Sequence, residues 1–452
     1  MATAIRSQFA TCSEVPVSAT LFEQFRKNLA VKNADEISGR YCAITTRLNK
    51  DYWGTDAEYL HCLQVGSYGR NTAIDGVSDL DMAFELPWEV HDRFVKRQGN
   101  VQSQLLGEIR DYLKVLYPKT DVHADGQVVV VQFKNYRVEV LPTFVEENGS
   151  YKFPDSNNGG TWCWCWPRDE IAAVQKVHER SNHHLKHICK MVRAWKNKHG
   201  APMGGMLIDT LCYNFFKTNE QYDNKGYGCY PELVRDVFSF LANLPEQDYW
   251  LAPGSKDRVY PKGKFQKKAK KAAAKCQEAL DVDNGAAKEK LWREVFGTCF
   301  PKSIVKMAAA TESIGRTFNN TEQFIDELYP VDIQYELELG CDIKYRGALE
   351  KRLRWLDAVF PIHIGRKLHF YIESCNVPKP YQMFWKVRNV GAIAERRGIR
   401  GQIVTDDGNQ ERFESTDFPG PHYVECYVVK NGVCVARDRI AVPIQGTDRE
   451  AA

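Results

Sequence analysis

The sequence predicts a mixed α/β core, a helical second lobe that packs against it, and a small C-terminal β-sandwich-like domain. Three observations lead to this fold class. Helix-like and strand-like patterns alternate in the first third, helical periodicity dominates the middle, and short β runs fill the C-terminal segment. The predicted boundaries place the core in residues 1–165, the helical lobe in 166–372 and the β domain in 373–452.

The composition describes a soluble globular chain with room for more than one domain. At roughly 150 residues per domain, 452 residues provide about three folded units. Hydrophobic residues make up 43% and charged residues 26%, which is enough apolar material to bury a large core without disulfides. The net charge of +3 is too small for a nucleic-acid coat, so any preference for anions is local and we expect no stable nucleic-acid partner.

The distribution of apolar residues and cysteines indicates a cytoplasmic protein with no membrane association. No apolar run approaches the roughly 20 residues that cross a bilayer, and the first residues lack the apolar core of a secretory signal. Apart from Cys163 and Cys165 the cysteines are scattered, and the missing CxxC pairs argue against a zinc ribbon or a disulfide framework. His183 and His187 have no third ligand nearby, so a satisfied surface or groove histidine is a better interpretation than zinc.

Periodicity predicts alternating helices and strands in the first third of the chain. Apolar residues recur near one face of a helix between residues 20 and 50, and later runs alternate with period two or return to a helical pattern. The predicted strands are His61–Val65, Asp79–Leu86, Val128–Phe133 and Tyr136–Leu141, and a further helix covers Gln104–Leu116.

Beyond a Trp- and Cys-rich segment the pattern becomes helical. The predicted helices are Ile171–His199, Gly205–Phe216, Glu232–Leu241 and Phe265–Leu280. Residues 256–275 contain nine basic residues and one acid, Asp257. This basic segment is either a solvated helix with a flexible lead-in or a flap that steers phosphates into a nucleotide cleft, since clustered charge raises the local concentration of anions.

Short β runs return in the C-terminal segment. The predicted strands are Phe384–Asn389, Gly401–Thr405, Tyr423–Val429 and Val433–Ala436. Asn431 and Gly432 stand between the last two, and this pair predicts a hairpin because a type I′ turn needs positive φ at both central residues.

The segment Gln64–Phe84 carries the clearest chemical signal. A predicted strand ends at Val65, and Gly66 and Ser67 then allow a tight turn that presents backbone N–H groups and a hydroxyl to phosphate oxygens. Such a turn suits a triphosphate. Arg70, in the same segment, is a further candidate for nucleotide binding.

Three acidic side chains are predicted to converge beside this turn. Asp79 and Asp81 begin a strand in which period two places both carboxylates on one face. Glu139 lies between Val138 and Val140 in a later strand, so it points away from the apolar face. Like charges this close are costly without a cation between them, and hard oxygen ligands suit Mg²⁺. The sequence therefore predicts phosphoryl transfer with two Mg²⁺ ions, and Mn²⁺ is the alternative metal.

A basic stripe on a predicted helix supports this interpretation. Between Leu185 and Trp195 apolar residues repeat at intervals of three to four, and Lys186, Lys190 and Arg193 form a second stripe. Packed beside the acidic strands, this stripe would bind the β- and γ-phosphates of an incoming triphosphate. The alternative is an ordinary solvated helix face.

The motifs GSYGRNT and SDLD, with VEVLPTF later in the chain, resemble those of the DNA polymerase beta-like nucleotidyltransferases. More narrowly, most of the chain resembles the bacterial cyclic-oligonucleotide synthases (CD-NTases), which are related to oligoadenylate synthase and initiate anti-phage signalling. The resemblance implies that Gly66 and Ser67 hold the donor triphosphate. It also implies that Asp79 and Asp81 bind both metal ions and that Glu139 is the third metal-binding acid.

Two positions depart from the pattern of that family. Relatives often carry Asp where this chain has Glu139, whose longer side chain shifts the carboxylate outward. Arg193 stands where the oligoadenylate-type relatives have a lysine, so phosphate recognition there would be forked rather than by a point charge. The implied fold is a polymerase beta-like nucleotidyltransferase core with an oligoadenylate-synthase-like helical lobe.

The C-terminal segment is similar to AGS-C, a small β domain that accompanies such synthases and is proposed to sense nucleotides. The matching stretches are Trp385–Gly391, Arg400–Ile403 and His422–Ala436. Their aromatic and basic residues, such as Trp385, Arg388 and His422, are interpreted as core and surface, with nucleotide contact as the alternative. Because an untriggered synthase would be toxic to its own cell, a regulatory protein or ligand acting at this domain is a hypothesis.

The expected reaction joins ribonucleoside triphosphates, ATP or GTP or both, with release of pyrophosphate and closes a cyclic di- or trinucleotide second messenger. One metal would lower the pKa of the acceptor hydroxyl and the other would neutralise the leaving group. Glu139 is the expected proton acceptor, with bulk water as the alternative. Two other interpretations stay open, namely a linear-product nucleotidyltransferase that tails RNA or modifies a small molecule, and a catalytically silent nucleotide sensor.

Overall fold

The chain folds into an α/β core, a helical lobe and a C-terminal β-sandwich-like domain, which confirms the predicted fold class. The computed structural model describes residues 17–32, 34–76, 79–302, 322–353 and 362–445. Ser78 of the acidic motif and the outer ends of the predicted first and last domains lie outside these described residues. Within the described ranges, no helix combines the length and the apolar character needed to span a bilayer.

The core is built on one mixed sheet. Its helices are α1 (Val17–Asn28), α2 (Ala34–Tyr52), α3 (Gly66–Gly69), α4 (Trp88–Val95) and α5 (Val101–Leu116). Its strands are β1 (Cys62–Gln64), β2 (Leu80–Glu85), β3 (Asp121–Asp125), β4 (Val128–Gln132), β5 (Arg137–Val145), β6 (Tyr151–Asp155) and β7 (Thr161–Cys165). The strand order is β1-β2-β5-β4-β3, β2 and β5 run parallel, and β5 also pairs with β6, which pairs with β7.

Alternation along β2 determines which face of this strand is apolar. Leu80, Met82 and Phe84 are fully buried and belong to the same apolar cluster as Leu105 and Ile109 of α5. Burying a large apolar side chain contributes about 1.5–3 kcal/mol, so a register shift of one residue would be strongly unfavourable. The residues between them, which include the second acid of the SDLD motif, consequently face the other side of the sheet.

The helical lobe follows the core. Its elements are α6 (Pro167–Arg180), α7 (His184–His199), α8 (Gly205–Thr218), α9 (Tyr230–Asn243), β8 (Trp250–Leu251), β9 (Arg258–Val259), α10 (Gln266–Asp281) and α11 (Gly285–Phe296). The helix predicted over 171–199 is in fact two helices, because Asn182 and His183 adopt positive φ angles of 47° and 65°. From the other end of the chain, Phe22 of α1 joins this lobe and packs edge-on against Trp292.

The basic segment at 256–275 contributes β9 and the first part of α10. The inner face of α10 is buried through the small residues Ala269, Ala272 and Cys276. Lys268 donates hydrogen bonds from Nζ to the carbonyl oxygens of His199 (2.6 Å) and Gly200 (2.8 Å), which caps the C-terminus of α7. These contacts favour the interpretation as a helix with a solvated outer face, and the phosphate-steering flap stays a prediction.

The C-terminal domain consists of two packed sheets. Its elements are α12 (Ile325–Leu328), β10 (Leu337–Tyr345), β11 (Ala348–Leu353), β12 (Ile362–His363), β13 (Lys367–Cys375), β14 (Gln382–Arg388), α13 (Ala392–Arg397), β15 (Arg400–Thr405), β16 (Glu411–Ser415), β17 (Gly420–Lys430) and β18 (Val433–Gln445). The sheet orders are β11-β10-β13-β16 and β12-β18-β17-β14-β15. Asn431 and Gly432 have φ angles of 52° and 73°, as the predicted hairpin between β17 and β18 requires.

The β region begins earlier than the sequence analysis placed it. The predicted boundary between residues 372 and 373 falls inside β13, which pairs with β10 along most of its length. Phe370 of β13 lies in the same apolar cluster as Trp385 of β14, so the two sheets form one core. The strands before residue 373 have one exposed face, and their mixed apolar and polar residues concealed the β pattern.

An extended run around residue 332 joins the C-terminal domain to the α/β core. Asp332 forms an antiparallel bridge with Leu63 of β1, and its N–H donates to the carbonyl oxygen of Cys434 at 2.9 Å. Arg168 of α6 holds the Asp332 carboxylate through Nε at 2.7 Å and Nη2 at 3.0 Å. We call residues 322–335 the connecting segment, since they contact β1, α6 and β18.

Candidate active site

The glycine turn lies directly beside an acidic strand. Gly66 has φ +61°, and the N–H of Val65 donates to the carbonyl oxygen of Asp81 at 2.9 Å. A β-carbon at residue 66 would stand 1.9 Å from Oδ2 of Asp81, so any side chain here would force the Asp81 carboxylate to move. Gly66 and Ser67 open α3, whose first N–H groups have no partner inside the helix. Ser67 is half-buried at this turn.

The structure brings the three predicted acids to one face of the sheet. Asp81 on β2 stands directly opposite Glu139 on β5 in the parallel pairing, and Asp79 precedes β2 by one residue. Arg137, two residues before Glu139, points to the same face. Its Nε lies 3.0 Å from the Asp79 carboxylate and its Nη2 lies 2.7 Å from Glu139. One guanidinium therefore joins acids from both strands.

Burial and like charge act on the acids. Burial, with the neighbouring charge of Glu139 next in importance, raises the pKa of Asp81 to about 7, while Arg70 opposes the shift. Burial also raises the pKa of Glu139, against the opposing effect of Arg137. Burial is the largest cause of both raised pKa values, and repulsion between the neighbouring carboxylates adds to it. An additional cation would relieve that repulsion.

The three carboxylates fit magnesium in their chemistry, although Asp79 and Glu139 are paired with Arg137. In the described part of the chain, no three acidic, histidine or cysteine side chains are already grouped to hold a metal ion. Three carboxylates on one face are nevertheless the hard oxygen ligands that Mg²⁺ prefers. The Arg137 pairs are about 40% exposed on the arginine side, and ion pairs of that exposure contribute at most about 1 kcal/mol. Replacing these ion pairs with a bound divalent ion therefore costs little free energy.

Two of the predicted phosphate ligands are committed to a buried aspartate instead. Asp209 on α8 is fully buried and accepts hydrogen bonds from Arg193 at 2.5 and 2.8 Å and from Nε of Arg70 at 3.0 Å. Thr72 donates to the same carboxylate at 3.0 Å. Arg70 also pairs with Glu170 of α6 at 3.1 Å. These contacts fasten the segment after the glycine turn to the helical lobe.

The remaining two basic residues differ from each other. Lys186 is 2% exposed and donates to the side-chain oxygen of Gln175. Burial, with the nearby charge of Lys190, lowers the pKa of Lys186 to about 7. Lys190 donates from Nζ to Oδ1 of Asn71 at 3.2 Å, on the segment that follows the glycine turn.

Most of the cations predicted to bind phosphate are buried, and their contact with phosphate stays a prediction. Lys186, Arg193 and Arg70 are each 5% exposed or less, so their cationic groups are packed inside the protein. The solvated-face alternative is wrong for Lys186 and Arg193 for the same reason. Of the four basic candidates, Lys190 alone is partly exposed. Its contact with Asn71 lies beside the glycine turn.

Sequence reasoning missed two residues of this site. Arg137 carried a usable signal, because strand alternation places it on the same face as Glu139. Asp209 also carried one, since it interrupts the apolar run GMLIDTLCYNFF, and a buried acid requires a cationic partner. The spacing of residues does not predict which cation pairs with Asp209, because that depends on how the helices pack.

Other residues singled out from the sequence have structural partners. Nδ1 of His187 lies 2.9 Å from the hydroxyl of Tyr230, which accords with a satisfied histidine. Trp385 is buried and donates to Asp406 at 2.8 Å. His422 accepts a hydrogen bond from the N–H of Val390 at 3.0 Å. The core interpretation is confirmed for Trp385 and His422.

Comparison with known proteins gives matches along most of the described chain. Residues 17–177 match the Second Messenger Oligonucleotide or Dinucleotide Synthetase (SMODS) domain, and residues 319–445 match the Adenylyl/Guanylyl and SMODS C-terminal sensor domain. A cyclic AMP-AMP-AMP synthase of Acinetobacter is 23% identical over 269 residues, which cover 56% of this chain and 76% of that protein.

Solved structures of similar proteins include three from different bacteria. Escherichia coli CdnC in complex with HORMA-deltaN is 16% identical, covers 63% of this chain and 99% of its own, and has a TM-score of 0.48. Bradyrhizobium diazoefficiens CdnG in complex with GTP is 10% identical, with 66% of this chain and 99% of its own covered and a TM-score of 0.46. A mutant of the Vibrio cholerae di-nucleotide cyclase DncV is 12% identical, with 63% of this chain and 88% of its own covered and a TM-score of 0.44.

The α/β core with acids on two adjacent strands beside a glycine turn, together with the SMODS match, defines a nucleotidyltransferase. The chain carries the SMODS domain and the C-terminal sensor domain found with SMODS domains, and it is similar to the cyclic-oligonucleotide synthases, the CD-NTases.

Proposed function

We propose that this chain condenses ribonucleoside triphosphates into a cyclic di- or trinucleotide second messenger and releases pyrophosphate. The observation that carries the proposal is the pairing of Asp81 with Glu139 across β2 and β5. Asp79 lies close to them, because the Arg137 guanidinium contacts both Asp79 and Glu139. The similarity to a cyclic AMP-AMP-AMP synthase supports ATP as a substrate, and GTP is the further candidate.

The acids and the glycine turn have distinct tasks in the proposed reaction. Asp79, Asp81 and Glu139 would hold two Mg²⁺ ions, which when bound supply Lewis acidity to the acceptor hydroxyl and the leaving pyrophosphate. Gly66 allows the triphosphate to approach the backbone beside Asp81. Ser67 donates its hydroxyl and N–H to phosphate oxygens.

Other residues orient these groups. Lys190, beside the turn, neutralises phosphate charge, and Glu139 accepts the proton of the attacking ribose hydroxyl. Arg70 and Arg193 hold the turn in place through Asp209 and do not bind phosphate directly. This assignment revises the expectation that both arginines contact the substrate.

The test is incubation of the protein with Mg²⁺ and all four ribonucleoside triphosphates, followed by mass spectrometry of the phosphatase-resistant product. We expect a cyclic product from the unaltered chain and none from Asp79→Asn with Asp81→Asn, whose thermal melt stays near normal. Product that phosphatase degrades fully would instead indicate a linear-product enzyme. Turnover by the double variant would refute the metal assignment.

We further propose that the enzyme acts in the cytoplasm and that its product serves anti-phage signalling under the control of a ligand or protein at the sensor domain. The C-terminal match supports a regulatory input. Expression of the chain with its neighbouring genes in a phage-sensitive host, compared with the Asp79→Asn/Asp81→Asn variant, tests this role. Equal plaque counts for the two would contradict it.

A further inference from the structure

A cavity of about 990 Å³ lies between α2 of the core and the C-terminal domain. Its volume lies in the range of small-molecule sites, which is about 300–1,000 Å³. One wall is α2, the second is formed by β14, β17 and β18, and the third is the start of the connecting segment. Its basic lining residues are Arg47, Lys50, Lys386, Arg388, Arg437 and Arg439. The cavity does not include the acids of the active site.

The β wall of the cavity presents alternate residues of three neighbouring strands. Lys386 and Arg388 face inward from β14, opposite Glu425 and Tyr423 of β17. Arg439 of β18 stands opposite Glu425 on the other side. Because side chains alternate across a strand, these groups lie on one face of the sheet. Cations and a phenol therefore cluster in one wall.

A carboxylate of the chain itself occupies the basic part of this wall. Oε1 of Glu322 lies 2.8 Å from Nζ of Lys386 and accepts a hydrogen bond from Tyr423 at 3.1 Å. Its Oε2 lies 2.8 Å from Nε of Arg388. Two cations and a hydroxyl that converge on one anion are the groups that bind phosphate oxygens in proteins. Glu322 thus marks an anion position.

The lining also holds four acids, Asp56, Glu58, Asp326 and Glu425, which leave the six basic residues in a small surplus. The guanidinium of Arg439 stacks over the Tyr423 ring at 3.6 Å. Among the described residues, no carboxylate forms an ion pair with Arg439 or with Lys50, whereas Arg437 is paired with Glu425 at 2.9 Å. An anion with more than one charged group could engage the Glu322 position and these two cations together.

We propose that this cavity binds a ligand that carries a polyphosphate group, with Lys386, Arg388 and Arg439 contacting the phosphates in place of Glu322. A polyphosphate has both the several charges and the multiple acceptor oxygens that a cluster of lysine and arginine side chains recognises. The ligand would compete with Glu322 for Lys386 and Arg388, because the phosphates and the Glu322 carboxylate accept hydrogen bonds from the same two side chains.

The connecting segment gives such binding a route to the active site, and this step rests on the proposed function. Glu322 begins the segment, and Asp332 within it bridges Leu63 of β1. β1 ends two residues before Gly66, so this bridge links the segment to the strand that leads into the glycine turn. Displacement of Glu322 would shift a segment that pairs with β1 beside Gly66.

The binding test uses the full chain carrying Asp79→Asn and Asp81→Asn in EDTA, so that metal-dependent substrate binding is removed. Isothermal titration calorimetry measures ATP, inorganic tripolyphosphate and adenosine in separate titrations. We expect ATP and tripolyphosphate to bind with one site and adenosine not to bind. Tighter binding of ATP than of tripolyphosphate would show that the nucleoside contributes. No binding of either polyphosphate at millimolar concentration would overturn the proposal, as would equal binding of adenosine.

Variants place the ligand in the cavity. In the same background Arg439→Gln should weaken ATP binding at least about tenfold, since a charge-assisted contact contributes roughly 1.5–3 kcal/mol. Glu322→Gln should strengthen it severalfold, because the competing carboxylate loses its charge. Arg396→Gln, an exposed arginine of α13 outside the cavity, is the matched control and should change nothing. Binding that ignores Arg439→Gln, or that weakens with Glu322→Gln in a folded protein, would contradict the assignment.

Discussion

Gly66 lies so close to the carboxylate of Asp81 that a β-carbon at residue 66 would stand 1.9 Å from Oδ2. Its φ of +61° adds a cost of about 1–2 kcal/mol for any residue with a side chain. We therefore expect Gly66→Ala to displace Asp81 as well as to strain the turn. Because a displacement of about 1 Å can lower a rate by about 100-fold, incorporation of labelled ATP should fall by that order.

Gly54→Ala separates strain from displacement. Gly54 has a similar φ of +67°, but a β-carbon there would meet nothing within 4 Å. Both variants should lose comparable stability in a thermal melt from backbone strain, and Gly54→Ala should keep its activity. If Gly66→Ala were as active as Gly54→Ala, the close approach to Asp81 would have no catalytic consequence.

Arg137 acts as a counter-charge for the acids in the metal-free protein. Arg137→Gln removes the only cation that the described contacts join to both Asp79 and Glu139. A pair of this exposure contributes at most about 1 kcal/mol, so affinity for Mn²⁺ without nucleotide should rise by up to about fivefold. Electron paramagnetic resonance of free Mn²⁺ during a titration measures this affinity directly.

The control for this prediction is Arg110→Gln. Arg110 is an arginine of similar exposure that pairs with Asp111 on α5, away from the acidic strands. Its replacement should leave Mn²⁺ affinity unchanged. Unchanged or weaker Mn²⁺ binding by Arg137→Gln would mean that the guanidinium does not compete with the metal.

Local periodicity was sufficient to predict the acids of the site. Asp81 and Glu139 each stand between apolar residues that alternate along a strand, so their face follows from neighbours one residue away. Their pairing across β2 and β5 depends in addition on parallel strands in a register that sets Asp81 beside Glu139, which the structure shows and local periodicity does not predict. The fold class followed from the same kind of local pattern.

Contacts between distant segments could not be predicted in this way. Periodicity placed Lys186 and Arg193 on one stripe of α7, but the partners that bury them are Gln175 of α6 and Asp209 of α8. A stripe of cations has the same spacing whether it faces water or buried acceptors. The start of the β domain was missed for a related reason, since sheet pairing decides which face of β13 is apolar.

Asp209 anchors the segment that follows the glycine turn to the helical lobe. Although burial opposes it, the guanidinium groups of Arg193 and Arg70 lower the pKa of Asp209 to about 2. Asp209→Asn leaves two buried guanidinium groups without their carboxylate and should destabilise the fold by about 3–5 kcal/mol. Chemical denaturation measures the change in the free energy of unfolding.

Arg193→Lys tests whether this arginine has a positioning or a substrate-binding role. A lysine cannot replace the two bonds to Asp209, so the melting temperature should fall even without nucleotide. Arg235→Lys, at a half-exposed pair with Asp236 on α9, should melt almost as the unaltered chain does. A raised KM for ATP with an unchanged melt would instead return Arg193 to the phosphates.

The buried Lys186 makes the stability of the folded chain depend on pH between about 7 and 10.5. Burial lowers its pKa from the ordinary 10.5 to about 7 in the folded chain. Between these values the unfolded chain binds a proton that the folded chain does not, so stability falls as the pH falls from 10.5 toward 7. Lys186→Met removes this penalty, which at 1.36 kcal/mol per pKa unit amounts to at most about 4 kcal/mol at pH 7.

The variant should therefore melt above the unaltered chain at pH 7, and the gap should narrow as the pH rises toward 10.5. Part of the gain is lost because Gln175 no longer receives its hydrogen bond from Lys186. Lys267→Met, at an exposed lysine of α10, should show no such dependence on pH. A gap that stays constant across this window would mean that burial does not lower the pKa of Lys186. ATP turnover that collapses in a well-folded Lys186→Met protein would place a charged Lys186 in the nucleotide site.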